Sequence, residues 1–325
     1  MIYNEAQNID TINNLIGIFK RRLARQFGQS LVLFDITAYQ NKNEVILNGE
    51  VGTVKLKNKF MSIIKRKKIT VTDNIKTLSD PKDHLEIGWG KSLIDQSTYR
   101  SPEEQPKLAT HILSGETFRV LKQISGWYLV QLEDLSMGWI RILNKDCVVA
   151  FNDKSPEYGE FSDRWQMVPR VNSTRLQFVF PDQETLERKL TDICSPYMGM
   201  PYIFGGRSPK FGFDCSGLIQ NIIFKLENVL LPKNSLDQIV LGKKANIKVF
   251  DKNQFKIGDI VFIRIRKKIP HSGIVTSRGI LHTEGLNQKI VLIDSFEDIA
   301  NPAKFAHQWQ RDFGKAVRFF QFQSD

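Results

Sequence analysis

The first pattern along the chain is helical. Ile12, Leu15, Ile16, Phe19 and Leu23 return at intervals of three and four, which predicts an amphipathic helix over 9–27. Residues 31–38 and 44–51 then read as strands, with Asn41, Lys42 and Asn43 as the turn between them. Residues 54–67 read as a Lys-rich helix and 68–72 as a third strand. The order helix, strand, strand, helix, strand makes a first segment, 1–78.

The period changes near residue 80. Gly115 to Leu121, Gly126 to Leu132 and Met137 to Ile140 are short alternating runs with glycine-containing turns between them. That is the pattern of a small barrel over 79–150. Trp127 and Trp139 each follow a glycine at a strand start, and either fill the barrel core or face a ligand. Residues 151–180 are broken by Pro156, Gly159 and Pro169 but carry Phe161, Trp165 and Phe178, so they read as a connector packed on its neighbours.

Helical spacing resumes in the last segment, 181–325. Leu186, Leu190 and Ile193 share a face, and Pro196 ends their helix. Leu218, Ile219, Ile222, Ile223 and Leu226 mark a second, more apolar helix. Residues 256–263 read as a strand, and 270–275 with 279–283 as a hairpin turning at Ser277 and Arg278.

Composition narrows the possibilities only a little. Hydrophobic residues are 41% and charged residues 25%, a globular balance. No apolar run approaches the roughly 18 residues that cross a bilayer. With 46 Lys and Arg against 35 Asp and Glu, the net charge is +11, which suits an acidic partner. No basic motif is interleaved with aromatics, so nucleic acid is not expected. Lys20, Arg21, Arg22 and Arg25, with the run Lys65 to Lys68, offer a weak membrane or wall contact through the N-terminal segment; the plainer reading is solvated helix faces. The first thirty residues lack a secretory apolar region, so a cytoplasmic protein is expected, the alternative being export with the signal absent from this sequence. Three cysteines do not make a disulfide scaffold, and with no C-x-x-C pair a zinc site is not expected. No cofactor is expected either.

The chemistry concentrates in the last segment. Cys215 falls at the first turn of the apolar helix, where backbone N–H groups and the helix dipole favour a thiolate and lower a cysteine pKa. That makes it a candidate nucleophile. A two-residue turn pairs Thr276 with Gly279 and sets His282 opposite Gly273, so His271 and His282 become diagonal neighbours on one face. Cys215 attacks, His271 takes and returns the proton, and His282 fixes the ring of His271. Asp214 is a candidate cap of the helix. Cys147 and Cys194 read as small buried hydrophobes, and His84, His111 and His307 as surface or core residues.

The ordered set Pro201-Tyr202-x-x-Gly205-Gly206, Asp214-Cys215-Ser216-Gly217-Leu218, Leu231-Pro232, Gly258-Asp259-x-Val261-Phe262, His271-x-Gly273-Ile274 and His282 resembles the NlpC-type cell-wall cysteine peptidases. The resemblance implies an α+β architecture: a papain-like domain of helices on an antiparallel sheet, preceded by an SH3-like barrel and a small α+β module. It implies Tyr202 as an oxyanion contact. With the upstream SH3-like segment, the chain is similar to γ-D-glutamyl-L-diamino acid endopeptidases that act on peptidoglycan stem peptides with a free N-terminal L-Ala. In them Tyr99, Asp214 and Ser216 would surround the substrate ammonium. The N-terminal segment resembles a BON-type domain. Three positions depart from the pattern: Phe204 for Trp, Lys233 for Arg, and Ser272 for an apolar residue. Lys233 and Ser272 leave open a cysteine amidase or acyltransferase on another acyl substrate. A catalytically idle wall-binding protein is the rival from another class.

Overall fold

The computed structural model describes residues 2–27, 33–41, 44–52, 54–78, 88–134, 136–143, 145–151, 176–264 and 271–323. The turn at 42–43, His84 and most of the 151–180 connector lie outside them. The chain forms two compact units: 1–94 with 115–172, and 95–114 with 173–325.

The first unit opens with α1 (Ile2–Phe27), β1 (Phe34–Asn41), β2 (Glu44–Val51), α2 (Val54–Arg66) and β3 (Val71–Thr77). The third strand lies later than the expected 68–72. Lys68 takes a left-handed φ of 56° that turns the chain after α2, so the extended run starts only at Val71. β2 pairs antiparallel with β1 and parallel with β3. The face of α1 read from the sequence is buried: Ile12, Ile16, Phe19 and Leu23 pack with Leu47, Leu56 and Phe60.

The same unit holds β4 (Gly88–Ser92), β7 (Thr117–Ile124), β8 (Trp127–Leu132), β9 (Met137–Ile140) and β10 (Cys147–Phe151), in the order β10-β4-β7-β8-β9. Trp127 is buried, with the Arg141 guanidinium 4.8 Å from its ring centroid, and Trp139 packs beside the core around Trp89. Two strands expected in this barrel, β5 (Gln96–Tyr99) and β6 (Leu108–Ile112), group instead with the C-terminal segment. The compact units therefore cut across the expected 79–150 boundary.

The second unit is built on a six-stranded sheet, β14-β19-β15-β16-β17-β18, comprising Lys243–Lys244, Phe313–Arg318, Ile260–Ile263, His271–Val275, Gly279–Thr283 and Val291–Ser295. Alternation divides each strand between two cores. Ile260, Phe262, Ile274 and Leu281 meet α3 (Gln183–Cys194) and α4 (Cys215–Glu227) on one face. Val261, Ile263, Val275 and Ile280 meet Ile299 and Trp309, from the short helices α6 (Phe296–Ala300) and α7 (Gln308–Arg311), on the other. α5 (Ser235–Gln238) follows α4.

Two glycines permit the close approaches around the site. A Cβ on Gly217, in the first turn of α4, would stand 2.0 Å from the Gly206 carbonyl. One on Gly273 would stand 2.9 Å from the Trp309 ring. Any side chain at either place would push α4 off its loop or Trp309 off the sheet. Among the described residues no helix is long and apolar enough to cross a membrane.

Candidate active site

The β16–β17 register is the one expected from the two-residue turn. Ile274 faces Leu281, Val275 faces Ile280, and the Thr276 N–H donates to the Gly279 carbonyl at 2.9 Å. His271 and His282 therefore share a face. His271 Nε2 and His282 Nδ1 are 2.9 Å apart, and their ring planes cross at 81°. Trp309 lies against both, at 5.2 and 5.0 Å between centroids.

The nucleophile arrives from the opposite core. Asp214 caps α4 by accepting from the Gly217 N–H at 2.7 Å, which sets Cys215 at the first helical position. α4 packs on β16, and the Ser272 amide, next in chain to His271, acts on the Cys215 sulfur to favour its charged form. Ser272, which the family pattern would make apolar, is fully buried on the α4 side of its strand. That packing sets Cys215 against Ser272, the residue after His271.

The protonation states differ from the expectation of a lowered cysteine pKa. Cys215 is 7% exposed, and burial pushes its thiol up to about 11. The Asp214 carboxylate adds to the rise, while the Ser272 amide and hydroxyl and the Lys233 ammonium oppose it. Burial, with a smaller contribution from His282, holds His271 well below the ordinary histidine value. The resting pair is thus neutral thiol and neutral imidazole. Desolvation outweighs the influences that favour the thiolate.

Two residues beyond the sequence-based set join the histidines. His282 Nε2 lies 2.9 Å from Asp294 Oδ2, and the Trp309 indole N–H donates to the same oxygen at 2.9 Å. Asp294 stands on β18, where it pairs with Ile280. An Asp at a strand end and a lone Trp carry no local motif. Only the pairing of β17 with β18 could have pointed to Asp294.

Asp214 and Ser216 are together as expected, with the Ser216 hydroxyl donating to Asp214 Oδ1 at 2.9 Å. An ammonium does sit on them, but it is the chain's own. Lys233 Nζ donates to Asp214 Oδ1 and Oδ2 at 2.7 and 2.6 Å, and reaches Ser216 Oγ at 3.3 Å. The Gly205 N–H adds a further donor at 2.8 Å. A carboxylate has about four acceptor positions, so Asp214 is saturated. This is the departure from the expectation that Asp214 meets a substrate amine directly.

Tyr202 follows Pro201 beside β13 (Gly212–Phe213), and its ring lies against Gly285. Burial first, then the neighbouring Cys215 and Asp214, push its phenol up, so the hydroxyl stays protonated as an oxyanion donor must. Tyr99 is half-buried at the end of β5. Its neighbour Arg100 lies 5.1 Å above the Phe204 ring, beside the Gly205 that bonds Asp214.

The β5–β6 hairpin meets this loop at further points. The Arg207 N–H donates to His111 Nδ1 at 3.1 Å, and Arg207 Nε to the His111 carbonyl at 2.8 Å. Ser208 bonds Asp95. His111, read from sequence as surface or core, is a buried support of the loop. Cys147 and Cys194 are buried, and burial pushes Cys194 up to about 12. Among the described residues, no group of three or more His, Cys, Asp or Glu side chains is placed to hold a metal ion.

Residues 199–307 match the NlpC/P60 family, and 98–142 match the bacterial dipeptidyl-peptidase Sh3 domain. A gamma-DL-glutamyl hydrolase of Bacillus subtilis is 32% identical over 36% of this chain and 28% of its own. Murein DD-endopeptidase MepH of Escherichia coli is 31% identical over 37% and 41%. The probable endopeptidase YafL of Escherichia coli is 32% identical over 47% and 60%. The chain thus spans between 28% and 60% of the length of these relatives. A solved NlpC/P60 family protein from Bacillus cereus is similar at 18% identity and a TM-score of 0.34, covering 87% of this chain and 79% of that one.

Proposed function

We propose that this chain, which carries an NlpC/P60 domain and a bacterial SH3-like domain, is a cysteine endopeptidase of peptidoglycan-derived peptides. The bond cleaved is the amide between γ-D-glutamate and an L-diamino acid. The carrying observation is a thiol at a helix start, on a helix packed against the strand that opens with His271, whose imidazole lies 2.9 Å from that of His282.

Cys215 Sγ attacks the γ-carbonyl carbon while His271 takes the thiol proton. The oxyanion is held by the Tyr202 hydroxyl and backbone N–H groups at the α4 start. The intermediate collapses with cleavage of the C–N bond, and His271 returns the proton to the departing diamino acid amine. The acyl group remains on sulfur as a thioester. Water, deprotonated by His271, then attacks the same carbon and the C–S bond breaks, restoring the thiol.

The N-terminal L-Ala of the substrate is recognised by the Tyr99 and Ser216 hydroxyls, with Asp214 acting through Ser216. The Lys233 ammonium on Asp214 favours a second reading of this subsite. Its negative charge is already offset, so a free substrate amine gains less there, and peptides blocked at the N-terminus enter too.

Two synthetic peptides test both statements. One is L-Ala-γ-D-Glu-diaminopimelate with a free amine and the other its N-acetylated form, each digested and followed by mass spectrometry. Cleavage after D-Glu, lost in Cys215→Ala, is the expected result. Cleavage of the free peptide alone supports the amine contact, and cleavage of both supports the second reading. If folded protein cuts neither, the endopeptidase proposal is wrong.

A further inference from the structure

We propose that Asp294 is a positioning residue that sets the protonation pattern of the two active-site histidines and so decides which nitrogen of His271 is the base. The inference rests on the reading of Cys215 as nucleophile. It does not depend on which peptide is cleaved.

The argument follows the hydrogens. Trp309 Nε1–H has no acceptor capacity, so its contact with Asp294 Oδ2 at 2.9 Å makes that oxygen an acceptor. His282 Nε2 lies at the same distance from the same oxygen, and a carboxylate oxygen only accepts, so His282 Nε2 carries the hydrogen. In a neutral ring the other nitrogen is then a lone pair, which makes His282 Nδ1 an acceptor. His271 Nε2, 2.9 Å away, must donate to it. The lone pair left on His271 is at Nδ1, and that nitrogen receives the thiol proton.

The pattern holds through the reaction. When His271 becomes an imidazolium it still donates from Nε2 to His282 Nδ1, so no ring has to flip. Asp294 is then the negative charge at the far end of the line, beyond one neutral ring. Sequence reasoning made His282 the last member. Yet a free imidazole exchanges tautomers readily, and His282 alone would orient His271 in only one of its two forms. The packing of Trp309 against both rings holds their planes while Asp294 holds their hydrogens.

The test is a long-range nitrogen–proton NMR spectrum of the histidine side chains in the full chain, combined with the rate of Cys215 alkylation by iodoacetamide. In the wild type His282 is expected with hydrogen on Nε2 alone. Asp294→Ala removes the acceptor that holds the hydrogen on His282 Nε2, so the ring is free to carry it on Nδ1 and turn His271 over. The variant is expected to show that changed tautomer and an alkylation rate roughly 10²-fold lower. A wild-type His282 protonated at Nδ1, or at both nitrogens, overturns the proposal without any variant. So does an Asp294→Ala protein that keeps the wild-type tautomer, or one that changes it and alkylates at the wild-type rate. A wild type unlabelled at Cys215 would sink the nucleophile instead, and the spectrum would still judge Asp294.

Discussion

Lys233 Nζ spans both carboxylate oxygens of Asp214, at 2.7 and 2.6 Å, one residue before Cys215. The two side chains are only 5% and 10% exposed. Asp214 also caps α4 and accepts from the Gly205 N–H, so one carboxylate ties three segments of the domain together. Its charge would oppose a thiolate beside it. The lysine offsets that charge while remaining part of the packed interior.

Removing the ammonium should therefore cost both stability and reactivity. Lys233→Met leaves a buried carboxylate with its charge uncompensated, a change that typically costs about 3–5 kcal/mol. It also takes away one of the influences that lower the Cys215 pKa. Urea unfolding is expected to show a loss in that range, and iodoacetamide labelling of Cys215 a shift to higher pH. Lys233→Arg keeps the charge and should recover most of the loss. A stability change below about 1 kcal/mol for Lys233→Met would mean that the pair contributes little.

The neutral resting state of Cys215 and His271 predicts a particular pH dependence. Burial raises the thiol to about 11 and lowers the imidazole, so neither ionises near neutrality. The groups facing them are Asp214, Lys233, Ser272 and His282, and none reverses either direction. Alkylation of Cys215 should climb with pH toward about 11 as thiolate forms. Peptide cleavage needs neutral His271, and its acid limb should lie well below the ordinary histidine value of about 6.5. Alkylation that is flat from about pH 5 to pH 8 would show instead a preformed thiolate–imidazolium pair.

Much of this was legible in residue patterns, and what was not has a physical reason. The apolar spacing of Leu218 to Ile223 placed Cys215 at a helix start, and the period of two placed His271 and His282 on one face. Both follow from local geometry, which a short window contains. The Cys215 pKa is not legible in a short window, because the helix terminus is local whereas burial is set by everything packed around the thiol. Asp294 was invisible because it reaches His282 through the β17–β18 pairing. Lys233 departs from a family pattern in a way the sequence shows, but its position on Asp214 depends on how the chain returns after α4. The assignment of the β5–β6 hairpin to the second unit depends likewise on its contacts with the 204–208 loop. Strand length and turn chemistry do not encode them.

That hairpin supplies the last prediction. His111 Nδ1 accepts the Arg207 N–H, so this nitrogen must keep its lone pair in the folded protein. Burial first, then the Arg207 and Lys233 charges, lower the ring pKa to about 4, and Asp95 and Asp214 only partly compensate. In the unfolded chain the same ring titrates near the ordinary value of about 6.5. Between those values the unfolded state binds a proton that the folded state refuses. The stability from this group is complete above about pH 6.5 and is lost as pH falls toward 4, at up to about 1.4 kcal/mol per pH unit. His111→Asn keeps an acceptor near Arg207 but cannot titrate. Urea unfolding at a series of pH values should show the variant less stable at neutrality, through lost packing against Phe211, yet with a shallower decline in acid. The same acid slope in both proteins would mean that His111 does not carry the effect. The tie between β6 and the loop before α4 would then be indifferent to pH in this range.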